Sequence, residues 1–286
     1  MSEFLLRVPD HLGDGVMAIP AVQAIAQIGT AHVVGPRWAK RLYQLDTKPT
    51  SPDTAVLFKP SFSAAWMHRH IPRRVGVAGD WRRWLLTDVV QPSQHHRVDT
   101  YSAIAAAVGA HASTPPTFAP SAVERMNAPK LATSDVLLLP LSKSQATVGW
   151  THFRTLADHL NGRAIFAAGP GECETLKSIA GPHRCMPALP IGEFSAVAIQ
   201  ASAVVGNDSG LSHLASASRR QAGLDPATCH VIFGSTDPEK TGPLGCTSHR
   251  IDHAPCQPCY RKTCRISSVH APCLDVDSAT ILEAIA

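Results

Sequence analysis

The sequence predicts an α/β protein made of two Rossmann-like, doubly wound parallel-sheet domains. Three observations predict it. Short apolar runs of strand length alternate with helix-length patterns along nearly the whole chain. One stretch, residues 111–129, breaks that rhythm and carries Pro115, Pro116, Pro120 and Pro129, the mark of a linker. The 286 residues, 44% of them hydrophobic, suffice for one large core or two modest ones.

Phe4–Val8, His32–Val34, Ala55–Phe58 and Val75–Val77 read as buried strands of the first half, with helices over Gly15–Ile28 and Asp99–Val108. After the proline-rich stretch the alternation restarts. Strands are expected at Val136–Leu139, Ala164–Ala168, Ala203–Val205 and His230–Phe233. Helices are expected at Thr151–Leu160, Glu172–Ile179, Ile191–Ala201 and Gly210–Ser218. The expected domains are therefore 1–125 and 126–286, with the break at about 120–133. Ligands of such sheets sit at the carboxyl ends of strands, which makes a cleft between the domains the default site.

Composition narrows the function classes. A net charge of +4 falls short of the footprint of a dedicated nucleic-acid binder, so no nucleic-acid partner is expected. The first residues, Met1 to Arg7, have no basic n-region and no long apolar h-region, and read as a strand rather than a signal peptide. No run approaches the roughly 18 apolar residues of a membrane span. The expectation is a cytoplasmic protein, whose eight cysteines are free thiols or metal ligands rather than a disulfide framework.

Four stretches carry chemistry. In "RVPDHLGDGVMAIPAV", from Arg7 to Val22, Gly13-x-Gly15-x-x-Ala18 formally matches a dinucleotide fingerprint. Asp14 would push a carboxylate into that phosphate cradle, and the acid expected after the second strand is missing, although Arg37 there would suit a 2′-phosphate. Asp14 has two other readings: a general base on a loop facing a cleft, or the cap of the following helix. In "VGNDSGLSHLASA", from Val205 to Ala217, a strand gives way to a helix capped by Asp208 or Ser209. The amides of Ser209, Gly210 and Leu211, with the helix dipole, suit a phosphate, while Asp208 suits sugar hydroxyls. His213 lies one turn on, as a ligand contact or as a hydrogen-bonded core histidine. In "LPLSKSQATVGWTHF" the hydroxyls and ammonium of Ser142, Lys143 and Ser144 follow a strand, suiting a diphosphate or forming an ordinary polar loop. After another strand, Glu172 either caps the next helix or reaches a ribose.

The fourth stretch holds Cys256, Cys259, Cys264 and Cys273 in the spacing C-x2-C-x4-C-x8-C. Four thiols at this density read as a structural zinc or iron knuckle, or else as a cysteine-rich loop that packs without metal. A basic segment adds Arg69, Arg73, Arg74, Arg82 and Arg83, interleaved with Trp66, Trp81 and Trp84. That combination suits an anionic, partly apolar acceptor or a lipid surface.

Together these stretches resemble glycosyltransferase family 9, the ADP-heptose:lipopolysaccharide heptosyltransferases. "LGDGVMAIPAV" resembles the family's Gly-Asp loop, "VGNDSGLSHLASA" its Asp-Ser/Thr-Gly-x-x-His donor motif, and "IFGSTDPEKTGPLG" followed by "CQPCYRKTC" its C-terminal segment. "RRVGVAGDWRRWLLTD" and "HHRVDTYSAIAAAVG" are weaker echoes. The resemblance implies a GT-B fold, with acceptor on the first domain and sugar nucleotide on the second, and an inverting transfer that needs no catalytic metal. It implies that Asp14 is the general base and that Ser142, Lys143, Ser144, Glu172, Asp208, Ser209, Gly210 and His213 meet the donor. The implied reaction moves a sugar, heptose from ADP-heptose, to a lipopolysaccharide-core or other cell-envelope glycan, with peripheral contact at the inner membrane surface. The sequence departs from the family where Val148-Gly149 stand in place of a lysine before Trp150. Two other readings accompany this one: an NADP-dependent reductase using the Gly13-x-Gly15 loop, and an inactive relative serving as a metal-knuckled binding subunit.

Overall fold

The structure, a computed structural model, describes all residues except 1, 48, 50, 113, 143–148, 252–253, 262, 267–270 and 286. The chain forms two compact units, Met1–Thr117 and Phe118–Ala286. Residues 118–125, expected in the first domain, belong to the second. Phe118 N–H donates to the carbonyl of Ala217, and Glu124 packs against Gly192, where a Cβ would collide with its carboxylate.

In the first unit the chain runs β1 (Glu3–Arg7), α1 (Leu12–Met17), α2 (Ile19–Ile28), β2 (Thr30–Val34), α3 (Ala39–Tyr43), β3 (Thr54–Leu57), α4 (Phe62–Met67), β4 (Arg73–Val77), β5 (Asp88–Val90) and α5 (Arg97–Ala106). The five strands are parallel in the order β2-β1-β3-β4-β5. Leu6 pairs with Val33 on one side and Val56 on the other, and all three are fully buried. The single helix expected over 15–28 is two helices, because Pro20 lacks an N–H and serves instead in the first turn of α2. The strand order reverses between β1 and β3, so the loops after these strands flank the crevice where such sheets bind ligands.

The second unit runs α6 (Ala122–Asn127), β6 (Val136–Leu139), α7 (Phe153–His159), β7 (Ala164–Phe166), α8 (Cys173–Ala180), β8 (Arg184–Cys185), α9 (Ile191–Gln200), β9 (Ala203–Asn207), α10 (Gly210–Gln221), β10 (Cys229–Ile232), α11 (Pro238–Thr241), β11 (Thr247–His249) and α12 (Ser278–Ala284). The order β11-β10-β9-β6-β7-β8, all parallel, is the dinucleotide-fold order, read from its far edge. Its switch point lies between β6 and β9. The central strand residues Leu137, Leu138 and Val205 are fully buried, as strands covered on both faces must be. Arg219 of α10 is buried and donates to the carbonyls of Ala198, Ala201 and Ser202, closing the carboxyl end of α9 with a side chain. Among the described residues no helix is long and apolar enough to cross a membrane.

Candidate functional site

In the second unit the switch point gathers the motif around Asp208. β9 ends at Asn207, and Ser209 rather than Asp208 caps α10, its hydroxyl accepting from the Ser212 amide at 3.3 Å. Asp208 is therefore released from capping. Its Oδ2 accepts from the Thr236 hydroxyl at 2.7 Å, and its Oδ1 lies 3.7 Å from Nε2 of His213. Asp208 and His213 are both buried, at 9% and 5% exposure, so each is fixed by the other rather than by water. Ser142, from the loop after β6, donates to the Asp208 carbonyl and ties the two loops of the switch point together.

The floor of this site is rigid for stated reasons. Asn207 is fully buried. Its amide donates to the Pro140 carbonyl at 2.6 Å, and its carbonyl accepts from the Ser212 hydroxyl at 2.7 Å. At Gly206 a Cβ would lie 2.7 Å from Ser212 Oγ and 2.9 Å from Leu139 Cβ, so only glycine lets the end of β9 pack this closely against β6 and the first turn of α10. Ahead of the Ser212 amide, the first-turn amides of α10 have no acceptor within the helix, and with the dipole they favour an anion. Glu172 stands at the start of α8 but does not cap it. Its carboxylate turns back to accept from the Gly169 amide at 2.9 Å. Lys143 and Ser144 lie outside the described residues.

In the first unit Asp14 is the third residue of α1, whose cap position is His11, so it does not cap the helix. Its carboxylate, 26% exposed, meets two residues of α5: Tyr101 donates to Oδ1 at 3.3 Å and Arg97 stands 3.5 Å away. The buried Tyr101 hydroxyl has its acidity pushed far below normal, by burial first and then by the Asp14 charge, so it remains a donor. Sequence reasoning missed both partners, although Arg97 and Tyr101 are one helical turn apart on a single face. Gly15 answers to packing. A Cβ there would lie 2.6 Å from Cζ3 of Trp38 and nearer still to Cη2, and the Gly15 carbonyl accepts from Tyr43. The phosphate-cradle reading of Gly13-x-Gly15 thus loses its main warrant. At the switch point of this sheet Asp10 bridges Arg7 at 2.6 Å and Lys59 at 2.5 Å. Burial alone would raise its carboxyl, but the hydrogen bonds from Lys59 and Arg7 outweigh it and hold the pKa below normal.

The five arginines expected at the acceptor divide. Arg82 is fully buried and donates to the carbonyls of Val77 and Lys59, and burial lowers its pKa to about 10. Arg73 pairs with Asp88 at 3.0 Å and donates to the Ala107 carbonyl. Arg74 donates to the carbonyls of Leu85, Ile71 and Pro72. These three brace the edge strands of the sheet, which leaves Arg69 and Arg83 as the exposed members.

The four-cysteine segment lies close to the core of the second unit. Cys273 is buried, and its thiol is pushed up to about 11, by burial first and then by the neighbouring Cys256, Cys259 and Cys264. The thiols are near one another, yet among the described residues no group of three or more His, Cys, Asp or Glu side chains is arranged to hold a metal ion.

The family model "Glycosyltransferase family 9 (heptosyltransferase)" matches residues 48–270. No match to a curated protein is found by sequence. Among solved structures, the chain is similar to E. coli ADP-heptose lps heptosyltransferase II, with a TM-score of 0.77 at 18% identity, covering 100% of this chain and 97% of that one. It is similar to E. coli heptosyltransferase WaaC with ADP-2-deoxy-2-fluoro heptose, with a TM-score of 0.69 at 16% identity and 100% of both chains covered. It is also similar to the iron-containing dodecameric glycosyltransferase TibC of enterotoxigenic E. coli, with a TM-score of 0.63 at 16% identity, covering 99% of this chain and 75% of that one.

Proposed function

The chain belongs to glycosyltransferase family 9 and is a glycosyltransferase of the GT-B fold; from that premise we propose that it transfers heptose, with inversion, from ADP-heptose to a glycan of the cell envelope. The observation that carries the proposal is the Asp208–Thr236–His213 cluster beside the capped start of α10, at the switch point of a dinucleotide-fold sheet. A carboxylate beside first-turn amides offers acceptors for sugar hydroxyls and donors for a diphosphate in one place. The solved WaaC structures carry ADP or an ADP-linked fluoro-heptose, which supports an ADP-linked donor.

In this reading the second unit holds the sugar nucleotide. The amides of Ser209, Gly210 and Leu211, with the hydroxyl of Ser142 and the Lys143-Ser144 segment, stabilise the charge that grows on the departing diphosphate. Asp208, held by Thr236 and His213, orients the sugar, and Glu172 meets the nucleoside. The first unit holds the acceptor, an anionic glycolipid or glycan. The Asp14 carboxylate takes the proton of the acceptor hydroxyl as its oxygen bonds to the anomeric carbon. The bond from that carbon to the diphosphate breaks, and the nucleoside diphosphate leaves with the electron pair. Tyr101 and Arg97 hold the carboxylate in place for this step. A zinc or iron ion at the four thiols has no part in the transfer. Metal analysis of the purified protein, with Cys256→Ser and Cys259→Ser as control, decides whether an ion is present.

The test is a thermal-shift series over ADP-, UDP- and GDP-linked sugars, because a ligand that binds only the folded chain must raise its melting temperature. A shift with ADP-heptose that Asp208→Ala abolishes is the expected result. Equal shifts with all three classes, or none, would overturn the donor assignment.

A further inference from the structure

The first unit carries an aromatic surface that the transfer reading does not use. Phe62, Trp66 and Trp84 pack on one another in the open, with ring centroids 6.0, 6.2 and 6.4 Å apart. They are 39%, 44% and 67% exposed, and Met67 beside them is 63% exposed. Trp81, three residues before Trp84, is 92% exposed. Its φ of 58° follows an Asp80 φ of 45°, left-handed conformations that a bulky residue seldom adopts. The turn thus holds an indole away from the protein at a conformational cost. Cations rim the patch. The Arg69 guanidinium lies 4.2 Å over the Trp66 ring, and Arg83 and His70 are exposed, against the one carboxylate of Asp80.

We propose that this face docks the first unit on the surface of an anionic lipid bilayer, with the indoles at headgroup depth and Arg69 and Arg83 on the lipid phosphates. Tryptophan has a large apolar body and one N–H donor, which is why it collects where hydrocarbon meets water. A cluster of exposed indoles this size is costly on a surface that only faces water. The basic rim selects the sign of the partner, since each arginine near an anionic leaflet is drawn to it. The patch lies on segments that follow the carboxyl ends of β3 and β4, and α1, with Asp14, follows the carboxyl end of β1. Docking would therefore bring the face of the sheet that carries the base toward a lipid-anchored acceptor. The docking itself does not rest on the transfer reading, because it is measured without sugar nucleotide or acceptor.

The experiment is co-sedimentation of the full chain with vesicles of phosphatidylcholine alone, and of phosphatidylcholine with phosphatidylglycerol at about three to one. The expected result is binding to the mixed vesicles only, with a blue shift of tryptophan emission. Trp81→Ser/Trp84→Ser should weaken binding at least about tenfold, and Arg69→Gln/Arg83→Gln about fivefold per charge removed. Melting temperatures within a few degrees of the parent would show that these surface variants are folded. No binding to either vesicle, equal binding to both, or undiminished binding by the tryptophan variant would each overturn the proposal. So would a self-association, seen by sedimentation velocity, that the tryptophan variant abolishes while vesicle binding is absent, since the face would then be a protein interface.

Discussion

Asp14→Asn separates chemistry from stability, because under the proposed base role the two carry very different magnitudes. The amide keeps the shape of the carboxylate and an oxygen to accept from Tyr101, 3.3 Å away, but loses its basicity and its charge toward Arg97. The Arg97–Asp14 pair spans 3.5 Å between side chains 43% and 26% exposed, so its loss costs at most about 1 kcal/mol. In a chain of this size that corresponds to a melting shift of about 2–4 °C. Loss of a general base removes about 10²–10⁴-fold in rate, or roughly 3–5.5 kcal/mol of the barrier. The assay is transfer from labelled ADP-heptose to an envelope glycan at saturating donor, with melting followed in parallel. The expected result is a fall in kcat of at least about a hundredfold, an unchanged donor KM and a nearly unchanged melting temperature. A variant that transfers within a few-fold of the parent would refute the base assignment. Tyr101→Phe is the graded companion. It preserves the edge-on packing of this ring against Phe58, at 5.7 Å, and removes only the hydroxyl, so kcat should fall about tenfold with donor KM unchanged.

Three further outcomes follow from the second unit. Asp208→Ala removes the acceptor of the Thr236 hydroxyl and the partner of His213, and should raise the donor KM at least about tenfold, read from initial rates. Gly206→Ala should destabilise the fold by about 1–3 kcal/mol in urea and weaken ADP binding as well, because the new methyl meets Ser212 and Leu139 at the floor of the site. A glycine there that tolerates alanine in both assays would show that the end of β9 is not held as described. The third concerns the buried pair His230 and His249, whose rings stack with Nδ1 and Nε2 3.1 Å apart. Burial, then His249 and Arg219, pushes His230 down to about 4, and burial lowers His249. Both are held neutral when folded and charge near 6.5 when unfolded, so their contribution is complete above pH 6.5 and is lost as pH falls from 6.5 toward 4. Urea midpoints should drop through that window, and less steeply for His249→Gln; parallel curves for the two proteins would remove the pair as the cause.

What the sequence made legible, and what it hid, divides along physical lines. The strands at Val136–Leu139 and Cys229–Ile232 were visible because a strand covered on both faces is a mostly apolar run, His230 being the exception here. The helix from Gly210 was visible because a strand, a capping hydroxyl and small residues stood in order, and the cap is Ser209. The short helices α4, α6 and α12 escaped because six or seven residues cannot display an apolar stripe, yet their caps Ser61, Ser121 and Asp277 were written plainly. Ser121-x-x-Glu124 is a complete capping box inside the stretch taken as linker, and α6 sits on it. Each unit's candidate site was half legible for a different reason. Asp14 and Asp208 lie in local motifs, whereas their partners come from elements 87 and 28 residues away in the chain. Charge counting failed in the same way. Arg73, Arg74 and Arg82 are indistinguishable by type from Arg69 and Arg83, and only the folded surroundings decide which guanidinium is drawn into the fold and which faces solvent, as Arg69 does with its one bond to the Trp66 carbonyl. A basic run read from sequence therefore sets an upper bound on the cations open to an acceptor. The side chains facing solvent, here two arginines amid exposed indoles, define the surface that experiment should address.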